Sequence, residues 1–372
     1  MLTEAVPKQE LQISSVAEAE LTKQQYRVIG KYKHSAVKVC GWTKKMIKGE
    51  GGCYKLTFYG IMSNQCMQMT TSMSCANRCT FCWRGYKAPV AKDWTWGVDD
   101  PVMMLEESLK QHQKLLSGMG GHPNMVKKAH QDSKTVKHVA LSLTGEPITY
   151  PRINEIIGEF NKLGISTFLV TNAQYPEQIR DLNPVTQLYI SLDAPNKKLL
   201  KEIDKPLFKD YWERLIKSLE YMAQKPQRTT IRLTAVMGEN MVDPKEYADM
   251  IKKGDPDFIE VKGYMFVGAS RQRLSINNMP LHEQVVEYAK QLEAVMPEYE
   301  IVVDHPVSRA VMLAKKKFKI DGVWHTWLDF PKYHELVLSG KPFTSMDYIK
   351  KTPKVGLSGQ KTNMKNKEER EL

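Results

Sequence analysis

Eight residues, Cys75-Ala-Asn-Arg-Cys79-Thr-Phe-Cys82, constrain this chain more than any other stretch. Three thiolates in one tight loop can each hold an iron of a [4Fe–4S] cube and leave the fourth iron open. Zinc is the competing ligand. Zinc sites, however, pair one C-x2-4-C with a second pair further along, and here the other cysteines lie upstream at a spacing foreign to a finger.

Those upstream cysteines are Cys40, Cys53 and Cys66, separated by thirteen residues both times. All six cysteines of the 372-residue chain fall between Cys40 and Cys82, a distribution that disulfide stapling of the whole fold would not produce. A second set of three thiolates points to a second cluster that also lacks a fourth protein ligand. The alternative is three structural thiols, which are among the most buried side chains.

Between them, Cys53-Tyr-Lys-Leu-Thr-Phe-Tyr-Gly60 alternates as a strand does. On an extended segment residues i and i+2 share a face, so Lys55 is expected on the side of Cys53. A lysine beside a cluster and shielded from water can lose its proton and attack a carbonyl to form a Schiff base. Lys44 and Lys45, after Cys40, are less well placed candidates; a solvated lysine is the plain alternative for all three.

Beyond Cys82 the pattern settles into strand then helix. Strands are expected near 67–73, 137–143, 165–171, 186–192, 229–236 and 257–263, and helices near 101–117, 152–162, 175–181, 208–223, 244–253 and 281–294. Such alternation implies a parallel sheet with right-handed crossovers. Six units make an α/β fold of the partial (β/α)6, TIM-like kind, with N- and C-terminal extensions. Ligands in such folds sit at the carboxyl ends of the strands. That rule selects Thr144, Gly145 and Glu146 after the second strand, Thr171 and Asn172 after the third, Ser191 and Asp193 at the fourth, Arg232 on the fifth and Lys262 on the sixth. Any one of these is weak, since Asn and Asp after a strand often serve as turn or cap residues.

Four segments are expected. Residues 1–35 form a polar arm with a helix near 16–29, residues 36–303 the barrel with both cysteine sets, 304–353 an extension packed on it, and 354–372 a disordered tail. Another strand-like stretch at 299–303 and an aromatic segment at 323–330 belong to the end of this plan.

An apolar share of 42% and a charged share of 26% are those of a globular protein. With no run of about 18 apolar residues and no signal-peptide core, a cytoplasmic enzyme without membrane contact is expected. The net charge of +12 favours a polyanionic partner. Lys127, Lys128 and Lys134 in the glycine-rich crossover after Gly118, and Lys315, Lys316 and Lys317, are candidate phosphate contacts. Trp83, Arg84 and Lys87, just after the cysteine run, mix aromatics and cations as stacking on unpaired bases requires.

The Cys75-x3-Cys79-x2-Cys82 run resembles the signature of the radical S-adenosylmethionine (radical SAM) enzymes. Together with Cys40, Cys53 and Cys66, the Cys-Tyr-Lys-x-x-Phe-Tyr-Gly segment, the Trp-Arg after Cys82 and Leu-Thr-Gly-Glu-Pro, it resembles more narrowly the tRNA 4-demethylwyosine synthases, over about residues 35–353. The resemblance implies two [4Fe–4S] clusters and S-adenosylmethionine. It also implies a lyase that condenses N1-methylguanosine-37, in the anticodon loop of tRNA(Phe), with two carbons of pyruvate in wyosine biosynthesis. By the same resemblance Cys75, Cys79 and Cys82 carry the S-adenosylmethionine cluster, and Thr144, Gly145 and Glu146 hold its methionine end. Asn172 and Asp193 serve the ribose, Phe81 covers the adenine, pyruvate meets the upstream cluster and Lys55 forms the Schiff base. Relatives with an N-terminal flavodoxin-like domain carry their own electron source. This chain has no room for one, so an archaeal-type monomer with an external flavodoxin or ferredoxin donor is expected. Two rivals are a radical SAM enzyme on a small molecule or peptide whose second cluster passes electrons, and a non-enzymatic zinc and RNA binding protein.

Overall fold

Six parallel strands form the centre of a ten-stranded sheet: β3 (Cys66–Thr70), β4 (His138–Leu141), β5 (Ser166–Thr171), β6 (Gln187–Ser191), β7 (Arg228–Ala235) and β8 (Phe258–Gly263). The computed structural model describes residues 13–85 and 88–359. Two antiparallel strands, β1 (Tyr26–Ile29) and β2 (Ser35–Lys38), extend the β3 edge, and β10 (Ala310–Lys315) then β9 (Tyr299–His305) extend the β8 edge, also antiparallel.

The period of two along each strand divides two cores. On β7, Ile231, Leu233 and Ala235 join the large cluster between sheet and helices, while Arg228, Thr230, Arg232 and Thr234 alternate with them. Phe168, Tyr189, Phe258 and Met312 belong to a second cluster on the concave side. The outer layer comprises α4 (Pro101–Leu116), α5 (Lys127–Asp132), α6 (Ile153–Lys162), α7 (Pro176–Asp181), α8 (Lys197–Asp204), α9 (Tyr211–Met222), α10 (Pro244–Gly254) and α11 (His282–Val295). Several start where the sequence supplies a cap or proline: Asp100 accepts from the N–H groups of Val102 and Met103 ahead of α4, Asn196 from Leu199 ahead of α8, and Pro176 and Pro244 open α7 and α10. The fold is the partial parallel barrel that the alternation implies.

Three short helices lie outside that ring: α1 (Ser15–Lys23), α2 (Gly41–Ile47) and α3 (Tyr54–Tyr59). The last corrects the strand expected at Cys53–Gly60. Tyr54, Phe58 and Tyr59 lie on one buried face at helical spacing, and Gly60, at φ +80, ends the helix in the left-handed region. A short apolar run is ambiguous by pattern, and here burial of that aromatic face decides. The helix expected to reach residue 29 stops at Lys23, because Gln25 turns the chain at φ +64 into the β-branched strand β1.

Segment boundaries move as well. β1 and β2 join the main sheet, so no separate arm ends at residue 35; β9 and β10 carry the sheet past residue 303 to Lys315. The extension is a floor. Arg228, fully buried, donates to the carbonyls of Thr326 and Trp327 at 2.6 and 3.4 Å, and Tyr348 donates to the Thr186 carbonyl. A further helix, α12 (Phe330–Ser339), packs beside α6. Residues 354–359 are tied down, with Gly356 N donating to Val302 O at 2.7 Å and Ser358 to Asp304, so the tail expected from residue 354 does not begin there. The rest of the expected tail, residues 360–372, lies outside the described residues. No helix among the described residues is long and apolar enough to cross a membrane.

Candidate functional site

The loop after β3 brings Cys75, Cys79 and Cys82 to the carboxyl end of the barrel, and its neighbours hold it by the backbone. Residues 203–207, at the end of α8, bond it on one side: Arg78 N to Asp204 O at 2.9 Å, Thr80 N to Ile203 O at 2.8 Å, and Leu207 N to Ala76 O at 2.8 Å. Carbonyls that the helix end leaves unsatisfied thus find donors in the cysteine loop. On the other side Arg273 donates to the carbonyls of Thr80 (2.8 Å), Cys82 and Arg84. Gly145, at φ +68, is the third clamp: a Cβ there would stand 2.0 Å from the Ser72 carbonyl oxygen.

Burial pushes two of these thiols up, Cys75 to about 11 and Cys79 well beyond its ordinary value, where Asp204 adds its charge. Such sulfurs become thiolates only beside a cation, which an iron–sulfur cluster supplies. Two donors already point at one sulfur: Asn77 N and Asn172 Nδ2 each lie 3.4 Å from Cys75 Sγ, the kind of contact that sets a cluster's potential. Among the described residues no three His, Cys, Asp or Glu side chains converge as a single ion requires, whereas thiolates at the corners of a cube need not converge. The residues fit a cluster better than a lone zinc.

The rim residues divide. Glu146 is buried, accepts from Asn172 N at 2.9 Å through one oxygen, and has no partner for the other; burial pushes its carboxyl up to about 7. Thr171 beside it is buried and accepts from Ala173 N. Asp193 is raised to about 6 by burial, against the pull of Arg232. Ser191 pairs with Arg232 across β6 and β7. Phe81 packs on the Val236, Tyr264 and Met279 cluster beyond β7 and β8. Thr144 borders a different cavity, of about 400 Å³, beneath α1. Gly145 was expected to admit a ligand, yet it is the cysteine loop's own backbone that approaches it.

The upstream triad is assembled from three elements. Cys40 and Cys53 occupy the N-cap positions of α2 and α3, where the helix dipole favours thiolate, and Cys66 opens β3. All three border one cavity of about 220 Å³, along with Lys55, Arg232 and Lys262. Burial raises Cys53 and Cys66 to about 12 and Cys40 less far. Lys55 stands in the first turn of α3, its Nζ 4.2 Å above the Tyr189 ring, and burial lowers its pKa against the pull of Glu260 and Cys53. A helix inserted into the barrel, not an extended strand, brings it there. Lys44 instead donates to Gln25 and Lys45 lies over Trp42; neither borders the cavity.

Sequence reasoning missed what fixes α3. Glu260, fully buried on β8, accepts from Tyr54 OH at 3.1 Å and Tyr59 OH at 2.8 Å. Below, Thr326 Oγ1 and Trp327 Nε1 donate to the last α3 carbonyls, Phe58 O at 2.7 Å and Thr57 O at 3.0 Å. The available signal was a glutamate in a strand buried on both faces, which requires donors. Arg273 and Asp204 were missed too, and no local motif marks either.

The candidate phosphate contacts fare differently. Trp83 stacks on Tyr26 with centroids 6.0 Å apart, and Arg84 donates to the carbonyls of Met73 and Pro89, so it holds the loop. Lys87 lies outside the described residues. The segment of Lys127, Lys128 and Lys134 packs on α2 and the turn before β3, at the amino end of β4, away from the cysteine loop it was expected to adjoin; Lys128 pairs with Asp132. Lys315 and Lys317 pair with Asp255 and Asp257 at 2.6 Å, and these residues with Lys316 follow β10 at the amino end of β8. Both lysine sets lie at the opposite end from Cys75, because the antiparallel return of β10 and the turn into β4 run that way.

Residues 69–251 match the model of the radical SAM superfamily and residues 253–315 that of wyosine base formation. The chain is 47% identical over 356 residues to the S-adenosyl-L-methionine-dependent tRNA 4-demethylwyosine synthase TYW1 of Xenopus laevis, covering 94% of this chain and 48% of that protein. It spans about half the length of the curated relatives it matches. Among solved structures it resembles TYW1 with a lysine–pyruvate adduct bound (34% identity, TM-score 0.74, 84% of this chain and 99% of that one). It also resembles archaeal TYW1 (31%, 0.68, 85% and 100%).

Proposed function

This chain belongs to the tRNA 4-demethylwyosine synthases of the radical SAM superfamily, and from that premise we propose that it condenses N1-methylguanosine-37 of tRNA(Phe) with pyruvate to give 4-demethylwyosine. The observation that carries the reading is the arrangement of two cysteine triads in one barrel, the second sharing its cavity with Lys55 and Lys262, of which Lys55 stands on the same short helix that Cys53 caps. The solved TYW1 with a lysine–pyruvate adduct supports the same role for a lysine.

In this reading Cys75, Cys79 and Cys82 would hold a cluster whose chemistry is electron supply for S-adenosylmethionine cleavage, and Cys40, Cys53 and Cys66 would hold a second that would offer a Lewis acid to the keto acid. Glu146, with one unsatisfied buried oxygen, accepts from the ammonium of the methionine end. Thr171, Asn172, Ser191 and Asp193 line the ribose side, and Phe81 covers the adenine. Lys55, as the free amine, adds to the pyruvate carbonyl, and the adduct loses water to form the imine; two of its carbons then join the base, the carboxylate carbon departs, and ring closure through a base nitrogen releases the Lys55 amine. Arg232 and Lys262 offer cations to the pyruvate carboxylate from the opposite strands. Tyr189 and Phe168 shield the amine from water. Electrons come from an external flavodoxin- or ferredoxin-type donor, and the chain acts as a monomer.

The test uses anaerobically reconstituted protein with dithionite, S-adenosylmethionine, pyruvate and N1-methylguanosine-bearing tRNA(Phe). The expected product is 4-demethylwyosine by mass spectrometry of the digested tRNA. Borohydride should trap a pyruvate adduct on Lys55, absent from Lys55→Arg, which should still cleave S-adenosylmethionine. An adduct on another lysine overturns the assignment of Lys55; a colourless zinc protein overturns the whole reading.

A further inference from the structure

The polyanion that a charge of +12 favours needs a landing surface, and Lys127, Lys128, Lys134 and Lys315 to Lys317 lie at the end of the barrel opposite Cys75. A better surface lies on the lip of the cysteine loop. Arg78 sits inside the loop itself, exposed, between Cys75 and Cys79. Its backbone N–H bonds the Asp204 carbonyl, which fixes it beside the end of α8. Lys201 and Lys205 stand one turn apart there, both exposed, and exposed Lys209 follows just beyond Leu207, whose N–H bonds Ala76.

Two properties separate this lip from the other lysine-rich surfaces. First, among the described residues none of Arg78, Lys201, Lys205 and Lys209 makes an ion pair, whereas in the other two sets Lys128, Lys315 and Lys317 each have a carboxylate at 2.6 Å, leaving only Lys127, Lys134 and Lys316 unpaired. The lip presents uncompensated charge. Second, Lys205 ends α8 at φ +46, ψ +55, a left-handed position that glycine or asparagine fills at less cost. A long cation held in an unfavourable backbone conformation, where a smaller residue would cap the helix better, is a mark of use elsewhere.

We propose that Arg78, Lys201, Lys205 and Lys209 form the ridge on which the RNA backbone beside the reacting base is gripped. The idea rests on the function proposed above and adds the side from which the substrate arrives. A nucleotide splayed from a single-stranded loop into the barrel leaves its neighbouring phosphates at the rim, and this ridge is the rim next to the loop that holds the first cluster. Because the ridge is bonded to that loop through three backbone hydrogen bonds, phosphate binding and cluster position are mechanically joined.

The test compares wild-type holoenzyme with Lys201→Gln/Lys205→Asn/Lys209→Gln and with Lys315→Gln/Lys316→Gln/Lys317→Gln. The ridge variant should keep its iron and its tRNA-independent cleavage of S-adenosylmethionine. It should bind tRNA(Phe) at least about tenfold more weakly, with the slope of log affinity against log salt shallower by roughly 2 to 3. The other triple should bind as wild type does. In parallel, acetylation of the unmodified holoenzyme should be blocked by tRNA at Lys201, Lys205 and Lys209 and not at Lys316. This second measurement stands even where the ridge variant loses its cluster. Wild-type affinity in an iron-loaded ridge variant, or no protection along the ridge, overturns the proposal. If wild type itself shows no salt-dependent tRNA binding, the proposed function fails rather than the ridge alone.

Discussion

The two cysteine triads are positioned by opposite means. Cys75, Cys79 and Cys82 come from eight consecutive residues, and the fold clamps their shared loop from outside through α8, Arg273 and Gly145. Cys40, Cys53 and Cys66 come from two helix starts and a strand start, joined through the turn before β3, where Thr43 donates to the Ser63 carbonyl at 2.9 Å and Cys53 N to Ser63 Oγ at 2.8 Å. A compact loop keeps its geometry if its ends and clamps survive. An assembled site fails when any supporting element shifts, which is why its neighbours include a fully buried glutamate and two tyrosines.

The comparison is broken most directly by single cysteine removals. Cys75→Ala and Cys53→Ala should each lower iron from about eight to about four per chain. Only the first should reduce deoxyadenosine formation from S-adenosylmethionine to background, while both abolish 4-demethylwyosine. Loss of cleavage in Cys53→Ala would mean that the triads are not independent.

Next in size is Gly145→Ala. With φ at +68 and the Ser72 oxygen 2.0 Å from the new methyl position, the cysteine loop must move. A loss of about 2 kcal/mol or more in stability is expected, with iron lost from the first triad and kept at the second, as Mössbauer or EPR spectra of the reconstituted protein would report.

Glu260→Gln probes the assembled site in the same way. Replacing a charged acceptor for two buried hydroxyls should lower stability by roughly 1.5–3 kcal/mol in thermal unfolding. Product should fall about tenfold, the factor that roughly 1.4 kcal/mol of lost positioning represents. Cleavage of S-adenosylmethionine should remain. A variant that loses both activities equally would show that α3 supports the whole barrel and not the second site alone.

The last effect, on stability against pH alone and not on either triad, concerns Glu146. Its carboxyl is raised by burial from the usual 4.5 to about 7 in the folded protein. The folded state therefore binds the proton more tightly than the unfolded chain. The stabilisation is complete below about pH 4.5 and is lost as pH rises through about 7, by ~3 kcal/mol in all. In the protein without S-adenosylmethionine, Glu146→Gln should flatten that decline in denaturant titrations between pH 5 and 8. An unchanged slope would place the titrating group elsewhere.

Legibility in the sequence follows the same division. The first triad was readable because local spacing is itself the signal, and the six strands were readable because period-two and period-3.6 patterns survive in a chain whose helices cover one face of the sheet. At Cys53–Gly60 the pattern misled: six residues with aromatics at alternate and at i, i+4 positions satisfy both templates, and only the barrel that receives Tyr54 and Tyr59 selects the helix. Lys55 was picked out correctly as a neighbour of Cys53 by an argument whose geometry does not hold. The lysines at 127–134 and 315–317 were chosen for charge density alone, and sequence carries no sign of which end of a strand a surface residue will occupy or which carboxylate will neutralise it.

The floor beneath the barrel has a consequence for how the molecule is made. The six thiols lie within the first 82 residues, and the groups that pin α3 from below, Thr326 and Trp327, come some 240 residues later. A ribosome delivers the ligands long before it delivers the base plate, so the second triad waits through most of translation with its supporting helix untethered. The chain is in this sense sealed last at the point nearest its earliest cysteines, and a nascent chain that ends before residue 326 lacks both side-chain donors that hold the end of α3.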